Sequence, residues 1–372
     1  MEEVTGVERL SDASVKLVGQ SKSRQRGFAK FNRSARFLTG AALAAGLITY
    51  GASLPAASAA TTTHHVRIVL GGGTDFSDAS LYYAVSHLQG EGISVTLSNL
   101  ADPASALEAV VSGKSDIYLG DPMEAAVAVT NGGANIKYVA TIEQTTDYEI
   151  LSLPKYTLKN IAGATLATAG PGTAGAIIAD TALAKIGVKP SSLHAVTVGG
   201  TSARVTAILS GQVDLAPVLA PSAVSAVATG KVKILLNAGQ VLGSYLQEGL
   251  ITSGSYVKNY PTIVQQVVDA FLASNRWAAT NGAQFISVAN QNQLQGSLTK
   301  AQEQASWLQL KNGSFYATNG AICPNAILQT ERYTYSAGGT LTKSNTPAYS
   351  SWVDPSFVKK YLTQHHQSAS SC

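Results

Sequence analysis

The chain has 372 residues, 45% hydrophobic, 7% aromatic and 13% charged, which excludes a disordered protein and leaves room for two or three domains with a sizeable core. Its formal net charge is +4, but eight basic and four acidic residues up to Ala59 account for all of that excess. A nucleic-acid binder carries its positive charge in the folded part, so that class is excluded.

Residues 1–59 read as a cleavable signal peptide: a basic stretch ending at Arg36, the apolar FLTGAALAAGLITYGASL, then PAASAA. Cleavage after Ala59 fits the small residues Ala57, Ser58 and Ala59. No two Arg residues are adjacent and no Cys lies near the cleavage point, which argues against a twin-arginine route and a lipoprotein anchor. No later stretch is long enough to span a bilayer. The mature chain is therefore expected to be exported, in the periplasm or another extracytoplasmic space. Cys323 and Cys372 permit one disulfide there, or two free thiols, and with scattered His they form no zinc pattern.

Short β-rich runs alternate with helical ones from Val66 onward. VRIVLGGG, SVTLSNL, DIYLGD, IKYVATI and EILSL read as strands, and SLYYAVSHLQ, ASALEAVVSG and PMEAAVAVTNG as helices. A second series follows, with strands ATLATAG, HAVTVGG, VDLAPVLA and KVKILLNA and helices at 173–185 and in ARVTAILSG. Such alternation implies parallel βαβ units. Two stretches carry one figure: VVSGKSDIYLGD and ILSGQVDLAP each end a helix at a Gly and turn at an Asp into a buried strand. Equivalent joints in two lobes explain the repetition. Beyond about Ser253 the pattern is mainly helical, as in YPTIVQQVVDAFLASNRWAATN.

ALEAVVSGKSDIYLG, the run LKNIAG to DLAPVL, the helix NYPTIVQQVVDAFLASNRWA and WVDPSFVKKYL occur in an order and spacing that resemble a known family. It is that of the extracytoplasmic solute-binding proteins of ABC importers, in the branch handling nitrate, sulfonates, taurine and thiamine precursors. The resemblance implies a type II periplasmic-binding fold: two α/β lobes, each a mostly parallel sheet flanked by helices, with the ligand between them. It implies lobe one over 66–153, lobe two over 158–240, a mainly helical return to lobe one over 244–361 and a flexible tail over 362–372. Hinges are expected at 151–156 and 238–244. A small-molecule ligand, an ABC permease and a monomeric state are implied, with no cofactor, metal or nucleic acid.

Ligands of open parallel sheets gather beyond the carboxyl ends of the strands, here loops 71–78, 120–122, 143–147, 170–173, 199–202 and 220–222. From these we expect Thr74, Asp75, Phe76, Asp121, Thr145, Gly172, Thr173, Thr201, Ser202 and Ser222 at the ligand. GPGTAG opens a helix whose amides suit an acceptor group, or it merely shapes a turn. Arg204 is either an anion clamp or a solvent-facing residue. Asp75, Asp78, Asp121, Glu143 and Asp147 crowd one mouth with no Lys or Arg, which disfavours a small anion and favours a neutral or amine-bearing organic solute. Sulfonate or nitrate binding on the same fold is the alternative. An enzyme acting on a small heterocycle is disfavoured, since no G-x-S-x-G, P-loop or cleft His is present. An exported sensor partner is a third reading.

Overall fold

The computed structural model describes residues 64–71, 73–100, 102–171, 173–336 and 341–367. The expected signal peptide, Gly172 and Cys372 lie outside them. Cys323 is disulfide-bonded. Among the described residues no helix is long and apolar enough to cross a membrane.

The first half of the chain builds β1 (His65–Gly71), α1 (Ala79–Gly90), β2 (Ser94–Leu100), α2 (Pro103–Val111), β3 (Ile117–Gly120), α3 (Pro122–Gly132), β4 (Ile136–Thr145), β5 (Tyr148–Ser152), β6 (Thr165–Thr168) and α4 (Ala174–Lys185). There follow β7 (His194–Thr197), α5 (Thr201–Leu209), β8 (Leu215–Leu219), α6 (Ala220–Ala228), β9 (Lys233–Asn237), α7 (Ala238–Leu242) and β10 (Ser244–Ser253). The rest is helical: α8 (Gly254–Asn259), α9 (Pro261–Thr280), α10 (Gly282–Gln291), α11 (Lys300–Asn312), α12 (Pro324–Ser336), α13 (Tyr349–Trp352) and α14 (Ser356–Gln364). Several helices begin where their sequence provides a cap followed by Pro. Asp102 caps α2 by accepting from Ser105 N at 2.8 Å, and Asp121 caps α3 by accepting from Met123 N at 2.7 Å.

Two five-stranded sheets result, in the orders β2-β1-β3-β10-β4 and β7-β6-β8-β5-β9. Three strands of each sheet pair in parallel, and the fourth position is held by a strand arriving from the other lobe, which runs antiparallel to both neighbours. The sheets are thus mixed, half parallel and half antiparallel in their pairings, because the chain crosses between lobes twice. The first crossing corrects the expected hinge at 151–156: Leu151 and Ser152 are buried in β5, within the second sheet, and the chain passes between lobes at Thr146 and Asp147. The return runs through Gly243 into β10. Residue 362 does not begin a flexible tail, since Leu362 is buried in α14.

The repeated figure forms the same joint twice. Gly113 (φ 75°) and Gly211 (φ 76°) end α2 and α5 in the left-handed region, where a side chain is strained. In the first lobe, Arg67 N on β1 donates to Asp116 Oδ2 (2.8 Å), and Asp116 N donates to Arg67 O (2.9 Å). Thr165 N on β6 donates to Asp214 Oδ2 (2.9 Å) and Asp214 N to Thr165 O (3.1 Å). Each Asp thus fastens the start of its strand to the neighbouring strand, 49 residues back in both lobes.

Strand alternation sorts the second lobe's core onto both faces of its sheet: Ile150 packs with Leu166, Leu183 and Leu215, whereas Leu151 packs with Ile208, Ala216 and Val218. The first lobe has the larger core, in which Ile68, Leu119, Val139 and Leu250 of the sheet meet Phe271 of α9 and Trp352.

Candidate ligand site

Carboxylates converge where the first lobe meets the interlobe crossing. Asp75 caps a short 3-10 turn over Phe76–Asp78, its Oδ1 accepting from Ser77 N (2.8 Å) and Ser77 Oγ (2.6 Å). Asp78 Oδ2 accepts from Asp75 N at 2.7 Å. On the sheet, Glu143 of β4 stands directly opposite Glu248 of β10, with irregular register on both sides of Glu248. One carboxylate oxygen from each of Asp78, Glu143 and Glu248 lies within 4.8 Å of the other two. The Gln247 amide nitrogen donates to Glu143 Oε2 (2.8 Å) and Asp147 Oδ1 (3.2 Å). Asp121 and Glu124 extend the wall, paired with Tyr245 OH (3.5 Å) and Tyr118 OH (2.6 Å).

No salt bridge reaches these acids among the described residues. Burial is therefore the leading cause that raises their pKa values, and mutual repulsion adds to it. Glu248 is pushed up to about 8 by burial and by Asp75, Glu124 and Asp147, and Asp147 to about 7 by burial and Asp75. Glu124 also rises to about 7, with burial the largest cause. Asp78, Asp121 and Glu143 are held well above the usual carboxylate range by burial and neighbouring acids.

The second lobe presents a different wall. Ala220 N, at the start of α6, donates to Asp147 Oδ2 at 3.3 Å and ties that lobe to the crossing. Thr201 opens α5 with its hydroxyl accepting from Arg204 Nη2 at 3.1 Å. Arg204 is neither a free anion clamp nor solvent-facing: it is 2% exposed, and its guanidinium donates to Pro217 O (2.7 Å) and Gly199 O (2.5 Å). Thr173 Oγ1 donates to Gly170 O at 2.8 Å, so this hydroxyl closes the turn before α4. Ser202 is exposed and Ser222 half-buried in the first turns of α5 and α6.

Of the residues expected at the ligand, the structure brings Asp75 and Asp121 into the acid wall, with Thr74 half-buried next to Asp75. Thr145 lies apart, lining a cavity of about 480 Å³ beside the crossings, and donates to Gly313 O (3.2 Å). Phe76 is a correction: it is fully buried and packs edge-on against Phe285 at 5.3 Å, as part of a core with Trp277 and Phe315. Glu124, Gln247 and Glu248 are additions. The sequence signal for the last two was a pair of polar residues inside the apolar run SYLQEGLITS, followed by a Gly. A Cβ at Gly249 would lie 2.3 Å from Ala140 O, so only glycine lets β10 pair closely there.

A family model described as NMT1/THI5 like matches residues 79–284. The chain belongs to the NMT1/THI5-like family. No curated protein matches it. This NMT1/THI5-like protein is similar in structure to the ligand-binding component of an ABC-type import system from Staphylococcus aureus with zinc bound (15% identity, 80% of this chain and 99% of that one, TM-score 0.67). It is also similar to the alkanesulfonate-binding protein SsuA from Xanthomonas axonopodis pv. citri bound to MOPS (19%, 78% and 98%, TM-score 0.62). A further similar structure is the desulfurization enzyme DSZB (13%, 81% and 99%, TM-score 0.57). At such identities the likeness is one of fold, the two-lobed type II periplasmic-binding fold.

Proposed function

We propose that the protein is an exported, monomeric solute-binding component that captures a small organic molecule between its lobes and, on closing, delivers it to an ABC importer permease. A ligand touching both lobes favours the closed form through its differential contacts, and closure changes the surface a permease reads. The observation that carries this reading is the wall of Asp75, Asp78, Asp121, Glu143, Asp147 and Glu248 at the interlobe crossing, with Arg204 turned to the protein's own carbonyls. A buried anion needs a paired positive charge, and this wall offers none. Thr74, Asp75 and Asp121 on one side and Thr201, Ser202 and Ser222 on the other are the proposed ligand contacts.

Binding and release need no covalent step. The test uses the chain from residue 60 onward, purified without refolding. Small-angle scattering with the co-purified solute present and then removed should show a smaller radius of gyration with solute bound, and mass spectrometry should recover that solute unchanged. Conversion of the solute to a product would favour an enzyme. An unchanged radius would remove the closure mechanism.

A further inference from the structure

We infer that the acid wall holds an N–H-bearing ammonium group of an organic solute, gripped by Asp78, Glu143 and Glu248 and oriented by Gln247. The inference rests on the solute-binding reading and names the chemistry of its ligand.

Three features point the same way. An ammonium nitrogen donating to three oxygens at about 2.8 Å sets those oxygens about 4.6 Å apart, and the three carboxylates offer atoms within 4.8 Å of one another. Glu143 and Glu248 are cross-strand partners, an arrangement that like charges make unfavourable unless something neutralises it, and the irregular register of β10 around Glu248 is the device that re-aims a strand side chain. Independently of the acids, Gln247 Oε1 is buried with no hydrogen bond, although Nε2 of the same amide reaches Glu143 and Asp147. Asp75 Oδ2 is buried and unpaired as well. Buried acceptors without donors are costly. The three N–H bonds of an ammonium group serve the three carboxylates, and a further N–H of the solute would serve the Gln247 and Asp75 oxygens.

Alternative ligands fit less well. A quaternary ammonium carries charge but no donor, so it makes no hydrogen bond to Asp78, Glu143 or Glu248. Anions find no cation in the wall to pair with. A bare divalent cation would satisfy the carboxylates, but it would make no use of Tyr148, half-buried at the start of β5, whose pKa is raised to about 12, chiefly by burial, with the nearby Arg204 lowering it and Asp147 and Asp75 raising it. This ring offers an aromatic flank to a carbon skeleton.

The test is calorimetric titration of the chain from residue 60 onward with primary alkylamines and α,ω-diamines of graded length. Matched skeletons with trimethylammonium or sulfonate heads, and calcium and zinc chloride, are run beside them. We expect one-to-one binding of a primary ammonium compound, at least tenfold weaker binding of its trimethylammonium and sulfonate counterparts, and at least a tenfold loss in Glu248→Gln. Gln247→Ala is expected to narrow the gap between primary and quaternary heads, a change that a merely structural role would not produce. Circular dichroism checks that both variants fold. Binding of sulfonates with closure would overturn the ammonium assignment and leave the solute-binding reading standing. Binding of a metal ion alone, or of none of the probes, would also overturn the assignment, and the solute-binding reading would then stand or fall by the scattering test.

Discussion

The two lobes share one strand order and one helix-to-strand joint, yet they face the proposed ligand region with opposite chemistry. The first lobe contributes Asp75, Asp78, Asp121 and Glu143, and β10 adds Glu248. The second contributes Ala220 N, which donates to Asp147, and the hydroxyls of Thr201, Ser202 and Ser222 at the starts of α5 and α6, and its buried guanidinium is bound to Gly199 O and Pro217 O. The joint recurs at Asp116 and Asp214 because each carboxylate fastens a strand to its neighbour, a task the fold sets twice. The walls differ because nothing in the topology constrains them. Scaffold is repeated, and recognition is not.

That contrast can be broken in several ways. The largest expected effect is on the pH dependence of stability. The raised carboxylates hold their protons in the folded state and lose them when unfolded, so their stabilising contribution is complete below about pH 4.5 and is lost as pH rises through about 8, the folded pKa of Glu248. Ligand-free protein should therefore lose on the order of a few kcal/mol over that window, as measured by urea unfolding at successive pH values. Neutralising Asp75, Glu143 and Glu248 with amides should flatten the profile.

Next comes Gly249→Ala. The new Cβ would meet Ala140 O at 2.3 Å and the Tyr138 ring at 2.5 Å, with an expected loss of about 3 kcal/mol or more. Glu143→Gln should weaken solute binding by roughly 10- to 100-fold, the range of one charge-assisted hydrogen bond. Thr201→Ala, in the second lobe, should change binding by less than about threefold, and comparable losses in both would mean that the lobes share recognition equally. The smallest effect tests the repeat itself: Gly113→Ala and Gly211→Ala, at matching φ with open space around each, should each cost about 1 kcal/mol. Clearly unequal costs would show that the joints are not equivalent.

The scaffold was legible in the sequence because periodicity and caps report local structure. Val66, Ile68 and Leu70, and the Asp-Pro starts of α2 and α3, mark their elements without reference to anything distant. β10 was not legible, since Gln247, Glu248 and Gly249 interrupt its apolar pattern. It becomes a strand only because β3 and β4 flank it from far earlier in the chain. Without those neighbours its sequence gives no sign that Glu248 would join the acid cluster. The first hinge was misplaced for a related reason: the alternation in EILSL shows that a strand exists, but not which sheet receives it. Asp75 and Asp121 stood out because they follow strand ends. Phe76 was misjudged because sequence adjacency to Asp75 carries no information about the core formed by Phe285 and Trp277 from much later in the chain.

The central claim is that an acid wall which keeps its protons when empty must give them up to a cationic solute. Titrating a primary ammonium ligand at pH 7 in two buffers of different ionisation enthalpy measures this directly. The ligand stays protonated throughout, so the account predicts net proton release on binding and a dissociation constant that falls as pH rises toward about 8. Proton uptake, or an affinity indifferent to pH across that range, would contradict it.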